Sequence, residues 1–172
     1  MQKIEYLLCA TTCKCGFLRC LKGWDNVEKR DLYDEFRNAT GKIICAGEEV
    51  PEGYFLLISV IFIQNSEGKF LIQKTSKEKG GRYSSTGGHM NSGENTLEGI
   101  IREVKEEIGL DIAPYKDELV MFKSRTGGHF HGDLYYLKHD FDINDCKLQK
   151  EEVDSVEWLS IDEINGGRKN FK

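Results

Sequence analysis

The stretch from Gly88 to Leu110 reads GHMNSGENTLEGIIREVKEEIGL and carries the pattern of an amphipathic helix. Apolar residues recur in it at the three- and four-residue spacing of one buried helix face: Leu97, Ile100, Ile101, Val104 and Ile108. Asn95 followed by Glu98 is a capping-box pattern, and Gly109 suits the left-handed position at which many helices end. We therefore expect a helix of about three turns that packs on a core.

Three glutamates on another face of this helix are three and four residues apart: Glu103, Glu106 and Glu107. Their like charges repel by roughly a few tenths of a kcal/mol per pair. A run of glutamates on a helix usually marks a solvated surface. The basic residues inside the helix, Arg102 and Lys105, are not spaced to neutralise all three carboxylates. Gly87 and Gly88 upstream let the backbone come close to a ligand. Both features favour a site for a hard cation such as Mg²⁺ or Mn²⁺, which prefers oxygen ligands.

The fixed positions of the stretch form a complete motif. Gly88 is followed after five residues by Glu94, after seven more by Arg102-Glu103-Val104, and then by Glu106-Glu107 and Gly109-Leu110. This spacing resembles the Nudix box at every fixed position, which is far more specific than a short glycine motif. The resemblance implies an α/β fold, the Nudix α/β/α sandwich with a mixed central sheet. It also implies a metal-dependent hydrolase of diphosphate bonds.

The resemblance extends to individual residues. Family members typically cleave a nucleoside diphosphate linked to another group, or a similar diphosphate, by attack of water on phosphorus. By similarity the three glutamates, with the backbone carbonyl of Gly87, would bind Mg²⁺ or Mn²⁺, while Arg102 and Glu94 would hold that group in place. Such a cation neutralises charge on the phosphoryl oxygens and can bind the attacking water. The general base is either a box glutamate or a later residue, Glu151 or Glu152.

A narrower resemblance is to the isopentenyl diphosphate isomerases, which share the Nudix fold. The stretch from Asp31 to Gly41 looks like the opening of that group and its hydrolase relatives, and His89 lies where the isomerases carry a metal-binding histidine. Their catalytic cysteine directly precedes the Gly-His pair, where this chain has Gly87, and their later catalytic glutamate is absent from 128–132. Hydrolysis is therefore favoured over isomerisation. A Nudix module that only senses a nucleotide is the other alternative, but its simplest signature, loss of a box glutamate, is absent.

Basic and histidine side chains supply further candidate contacts. Three lysines precede the glycines and form either a phosphate-binding loop or a solvated one: Lys74, Lys77 and Lys79. His89 directly follows the glycines and is a candidate ligand or substrate contact. His129 and His131 are two residues apart, so on a strand they would face the same way, toward a metal or phosphate or simply toward solvent.

Composition fits one globular enzyme domain. The 172 residues are 39% hydrophobic, enough for a single sizeable core. The net charge of −5 disfavours a nucleic-acid surface. No apolar run approaches the roughly 20 residues that span a bilayer, and the N-terminus lacks a signal-peptide pattern. We expect a cytoplasmic enzyme that binds a small-molecule diphosphate and neither nucleic acid nor membrane.

Four of the six cysteines lie at the N-terminus: Cys9, Cys13, Cys15 and Cys20. Their spacing differs from the paired type of zinc ribbons, and disulfides are rare in a reducing compartment. We expect reduced thiols on an extension of residues 1–30, followed by the Nudix domain at 31–172.

The remaining pattern predicts strands and a short helix. Six segments have strand character: 42–45, 54–64, 69–73, 119–123, 133–138 and 153–159. The second and third flank a polar turn and should form a hairpin. Ser160 with Glu163 repeats the capping-box pattern and predicts a C-terminal helix.

Overall fold

The computed structural model describes residues 27–166. The predicted cysteine cluster and the tail at 167–172 lie outside these described residues. The first strand, β1 (Lys29–Tyr33), begins close to residue 31, and the division of the chain into an extension and a Nudix domain stays a prediction.

The strands of this region form two sheets. β1 and β2 (Ala39–Cys45) make an antiparallel pair. The other seven strands form one sheet: β3 (Leu56–Gln64), β4 (Phe70–Thr75), β5 (Tyr83–Ser84), β6 (Thr86–His89), β7 (Val120–Gly127), β8 (Phe130–Lys138) and β9 (Val153–Leu159). The central strand β3 runs parallel to β8 and antiparallel to β6, so the sheet is mixed, as predicted.

The predicted hairpin between β3 and β4 is confirmed only next to its turn. The two strands pair at Gln64 and Phe70 and then separate. β6 pairs with β3 beyond that point, and β9 runs along β4. Because β6 occupies the edge of β3 that a long hairpin would need, the glycines next to the box belong to the central sheet.

The long helix, α1 (Thr96–Ile108), has the predicted start and end. The Asn95 side chain accepts hydrogen bonds from the backbone of Leu97 and Glu98, and the Glu98 carboxylate accepts one from the Asn95 backbone N–H. Gly109 ends the helix in the left-handed region at φ 76°. The predicted apolar face packs on the large sheet, with Ile100, Val104 and Ile108 fully buried.

A buried carboxylate anchors the start of α1 to the sheet. Asp133 of β8 accepts a hydrogen bond of 2.6 Å from the Thr96 hydroxyl and another of 2.6 Å from Ser124. Arg37 forms a two-pronged ion pair with the same carboxylate. Burial raises the pKa of Asp133, but these hydrogen bonds outweigh it and hold the pKa below its usual value. The carboxylate therefore stays ionised and fixes where the helix begins.

The second helix, α2 (Ile161–Gly166), lies on the opposite face of the sheet. Its predicted cap is present, with Glu163 and Ser160 bonded to each other. Ile161 and Ile164 line an apolar groove of about 450 Å³ with Phe62 and Phe70. Helices thus cover both faces of a mixed sheet, which confirms the predicted α/β/α sandwich. No helix within residues 27–166 is long and apolar enough to cross a lipid bilayer.

Gly87 of β6 lies directly against the backbone of β3. A Cβ atom on Gly87 would lie 2.2 Å from the carbonyl oxygen of Ser59 and 2.8 Å from the Cα atom of Val60. Both atoms belong to the backbone of β3, so they cannot move away without breaking the ladder. The local packing therefore requires glycine at position 87.

We predict that Gly87→Ala destabilises the fold by roughly 2 kcal/mol or more, because the added methyl group meets backbone and not a flexible side chain. The matched control is Gly127→Ala on β7, where a Cβ atom has nothing within 4 Å. Urea unfolding followed by circular dichroism measures both variants. Equal stability of the two would contradict the close contact at Gly87.

Candidate active site

The three box glutamates lie on the flank of α1, beside the face that packs on the core. Glu103 and Glu107 are half-buried, with only 14% of the Glu103 side chain exposed, whereas the Glu106 side chain is 54% exposed. The helical spacing places the acids on one side, and the neighbouring sheet shields two of them. This shielding separates the cluster from an ordinary solvated surface.

The guanidinium of Arg102 connects the surrounding elements. It donates to both oxygens of Glu94 at 2.8 and 2.9 Å, to Glu103 at 3.0 Å and to Glu106 at 2.8 Å. It also donates to the backbone carbonyl of His89 at 3.0 Å. Burial lowers the pKa of Arg102, but the carboxylates outweigh this and raise it above the ordinary value. A permanently charged group therefore joins α1, β6 and the loop between them.

The expectation that no basic residue neutralises the acids locally is wrong for two of them. Arg102 contacts both Glu103, its immediate neighbour, and Glu106, four residues on. The Glu106 pair is an ordinary i, i+4 contact, whereas Glu103 is reached because a guanidinium carries five donors on a long side chain. Glu107 has no such cationic partner among the described hydrogen bonds.

Gly88 brings β6 against Glu103. A Cβ atom at Gly88 would lie 2.5 Å from an oxygen of the Glu103 carboxylate. Burial raises the pKa of Glu103, and the charge of Arg102 opposes that effect. The glycine thus allows a strand backbone and a shielded carboxylate to meet, as its place in the motif suggested.

Glu107 is held by a partner that sequence reasoning missed. The Gln73 amide of β4 donates to Glu107 at 2.9 Å and accepts a hydrogen bond of 3.0 Å from Thr86. Gln73 and Thr86 are both buried. Burial raises the pKa of Glu107 to about 7, although the Gln73 hydrogen bond acts in the opposite direction. The available signal was a polar glutamine after the apolar run of β4.

The donor chemistry of this face suits a hard divalent cation. It combines shielded carboxylates with the adjacent glycine backbone, and the charge of Glu103 further raises the pKa of Glu107. A bound cation would relieve that repulsion. Within residues 27–166 no three acidic, histidine or cysteine side chains already converge at ligand distance. Arg102 bridges two of the carboxylates, so they would have to turn from it toward a cation.

The other predicted contacts are distributed around this cluster. His89 is half-buried on β6, and burial, with the nearby charge of Arg30, lowers its pKa to about 4. Glu152 pairs with Lys79 at 2.7 Å, and its charge acts on Glu107. Lys74 lies on β4 between Tyr83 and Ser155, and none of its described hydrogen bonds or ion pairs reaches the box glutamates.

The histidine pair does not form the common site that its spacing suggested. β8 begins at Phe130, so His129 lies in the preceding turn and is exposed. His131 is buried, stacks on Phe55 at 4.6 Å and is bonded through both ring nitrogens, to Thr126 and to a backbone carbonyl. The expected shared orientation is wrong because only one of the two residues belongs to the strand.

Comparison with known proteins agrees with this arrangement. The family model of the NUDIX domain matches residues 55–172. An uncharacterized Nudix hydrolase of Listeria monocytogenes is 31% identical over 151 residues, 84% of this chain and 86% of the relative. The m7GpppN-mRNA hydrolase of Saccharomyces cerevisiae is 28% identical over 108 residues, 62% of this chain and 11% of the relative.

Solved structures share the fold. A protein of Deinococcus radiodurans, 23% identical in sequence, matches with a TM-score of 0.64 over 77% of this chain and 83% of its own. The sequence motif, the mixed sheet between helices and the family match all agree. The chain therefore belongs to the Nudix family and is a hydrolase of diphosphate bonds.

Proposed function

We propose that the protein is a Mg²⁺-dependent hydrolase, with Mn²⁺ as a second usable cation. Its substrate would be a nucleoside diphosphate linked to another group, or a similar diphosphate. The observation that carries the proposal is the shielded pair Glu103 and Glu107 beside the glycine backbone of β6. Burial raises the pKa of both carboxyls because it disfavours their ionised forms. A bound cation would stabilise those ionised forms.

Each residue of the cluster has a proposed role. The cation would be held by Glu103, Glu106, Glu107 and the backbone carbonyl of Gly87. When bound, it would neutralise negative charge on the phosphoryl oxygens. Arg102 would keep the glutamates oriented, itself braced by Glu94. Gln73 would fix one oxygen of Glu107, as outer hydrogen bonds commonly do for metal ligands.

A carboxylate must also take the proton of the attacking water. Glu152 is favoured over Glu151, because the charge of Glu152 acts on Glu107. Lys79 pairs with Glu152 at 2.7 Å and holds its carboxylate in place. A box glutamate stays the alternative base.

Two other activities make different demands on the site. An isomerase would need a thiol at position 87, where the packing of β6 against β3 requires glycine. A nucleotide sensor needs no carboxylate cluster for a cation, so the fact that this chain retains every box carboxylate favours catalysis.

The yeast relative is by name an mRNA cap hydrolase, so cap-like dinucleotides join the candidate substrates. A net charge of −5 argues against a long RNA and not against a cap.

The proposed function is tested by assaying a panel of substrates at a fixed Mg²⁺ concentration and neutral pH. It should contain a nucleoside diphosphate sugar, a dinucleoside polyphosphate, a nucleoside triphosphate, a capped dinucleotide and isopentenyl diphosphate. We expect phosphate-containing products from at least one compound. Rearrangement of isopentenyl diphosphate would support an isomerase, and binding without turnover would support a sensor.

We predict that a chelator abolishes turnover and that Mg²⁺ or Mn²⁺ restores it. Because the cation would bind the folded state, Mg²⁺ should also raise the melting temperature. A concentration of 100 times Kd corresponds to about 2.7 kcal/mol of stabilisation. Calorimetry with and without the cation measures this shift. Full activity in metal-free buffer would refute cation dependence.

We predict that Glu107→Gln lowers turnover by roughly 100-fold or more, since even outer partners of metal ligands typically contribute 10- to 100-fold. The metal-free melting temperature should be unchanged or higher, because the substitution removes a shielded charge while the new amide oxygen can still accept from Gln73. The matched control is Glu118→Gln, an exposed acid in the turn after α1, which should change neither quantity. Normal turnover of the Glu107 variant would remove this residue from the active site.

A further inference from the structure

We infer that Ser76, the buried residue directly after β4, is a positioning residue for hydrolysis. It holds the turn that carries Glu152, the favoured general base, beside the last turn of α1. The inference deepens the proposed function and rests on it, because it concerns the group that would take the proton of the attacking water. Ser76 itself touches neither the substrate nor the cation.

The segment before β9 is attached to the last turn of α1 by backbone hydrogen bonds. The Gln149 N–H donates to the Glu107 carbonyl at 2.9 Å, and the Lys147 N–H donates to the Ile108 carbonyl at 2.9 Å. The last carbonyls of a helix have no partner within it, so this segment satisfies two of them. The Gln149 carbonyl in turn accepts from the Glu152 N–H at 2.9 Å. Two backbone hydrogen bonds therefore connect Glu152 to Glu107.

Ser76 fastens the same turn from the side of β4. Its hydroxyl donates to the Glu151 carbonyl at 2.8 Å, and its N–H donates to the Glu152 carbonyl at 2.8 Å. Glu151 lies in a turn and not in a strand, so the hydroxyl supplies a hydrogen bond that the sheet ladder does not. Ser76 is only 4% exposed. Water therefore has little access to replace its hydroxyl.

Ser76 also holds the loop that carries the ionic partner of Glu152. Its carbonyl accepts hydrogen bonds from the N–H groups of Lys79 at 3.0 Å and Gly81 at 2.9 Å. The Lys79 ammonium pairs with the Glu152 carboxylate at 2.7 Å, and 32% of the Glu152 side chain is exposed. One buried residue thus fixes the backbone on both sides of this ion pair. The pair leaves the carboxylate in place and still accessible to water, as a general base requires.

The position of the carboxylate decides how fast it can take a proton. A general base must lie within hydrogen-bond reach of the attacking water, and a displacement of about 1 Å can lower a rate by roughly 100-fold. Removing the Ser76 hydroxyl frees the Glu151 carbonyl and leaves the backbone hydrogen bonds of Ser76 in place. The turn should therefore shift without unfolding of the domain, so that proton transfer slows while substrate binding is retained.

The test measures kcat and KM at a fixed Mg²⁺ concentration on a panel compound that the wild type hydrolyses. Ser76→Ala should lower kcat roughly tenfold or more and leave KM within about twofold of the wild type. Ser76→Cys keeps the shape but has a weaker donor, so its kcat should lie between the two. The matched control is Thr126→Val on β7, which loses a hydroxyl bonded to the buried His131 and should keep the wild-type kcat.

A double-mutant cycle with Glu152→Gln separates positioning from a merely structural role. If Ser76 acts through Glu152, adding Ser76→Ala to the Glu152→Gln protein should lower kcat by less than about twofold, since the two residues act as a unit. A residue that only supports the fold would lower kcat by the same factor in both backgrounds. Melting temperatures of all variants show whether each is folded at the assay temperature.

The outcomes separate this inference from the proposed function. If the wild type hydrolyses a substrate with Mg²⁺, the inference fails and the proposed function stands under any of three results. These are wild-type kcat in Ser76→Ala, equal losses in both backgrounds of the cycle, and wild-type kcat in Glu152→Gln. Unfolding of both Ser76 variants at the assay temperature would also overturn the inference, because the residue would then be structural. A wild type that hydrolyses no compound would overturn the proposed function and the inference with it.

Discussion

A single guanidinium, that of Arg102, holds the site together. It joins a helix, the loop before that helix and the carbonyl end of β6 through Glu94, Glu103, Glu106 and His89. These acids would otherwise repel one another and turn toward solvent. The same ion pairs keep the carboxylates from converging on a common point. A bound cation would therefore have to compete with Arg102 for these carboxylates.

Close packing and charge burial support each other here. Gly87 and Gly88 let β6 touch β3 on one side and Glu103 on the other. The contact at Gly88 helps to shield Glu103 from water, and burial raises the pKa of both Glu103 and Glu107. A looser strand would leave ordinary surface glutamates with little affinity for a cation. The stability of the sheet and the chemistry of the site thus depend on the same two residues without side chains.

Much of the fold was predictable because its signals are local. The capping residues Asn95 and Glu98, the apolar stripe and Gly109 act within one helix, so their spacing alone predicted its bounds. The strand predictions were correct in place, but the predicted hairpin of β3 and β4 pairs only next to its turn. Strand pairing depends on which edge is free, and β6 displaces β4 from most of β3. The prediction that His129 and His131 face the same way is wrong for a related reason, since a turn residue and a strand residue two apart do not share a face.

The sequence by itself determined the family, the identity of the box residues and the helix that carries them, because these follow from short-range spacing. Only the tertiary structure decided which acids are shielded, that Arg102 contacts two of them, and that Gln73 borders the cluster. Those relations join residues far apart in the chain, and no periodicity records them. Burial and hydrogen bonding are set by neighbours from other elements, so the electrostatic character of each glutamate emerges only when the sheet closes against the helix.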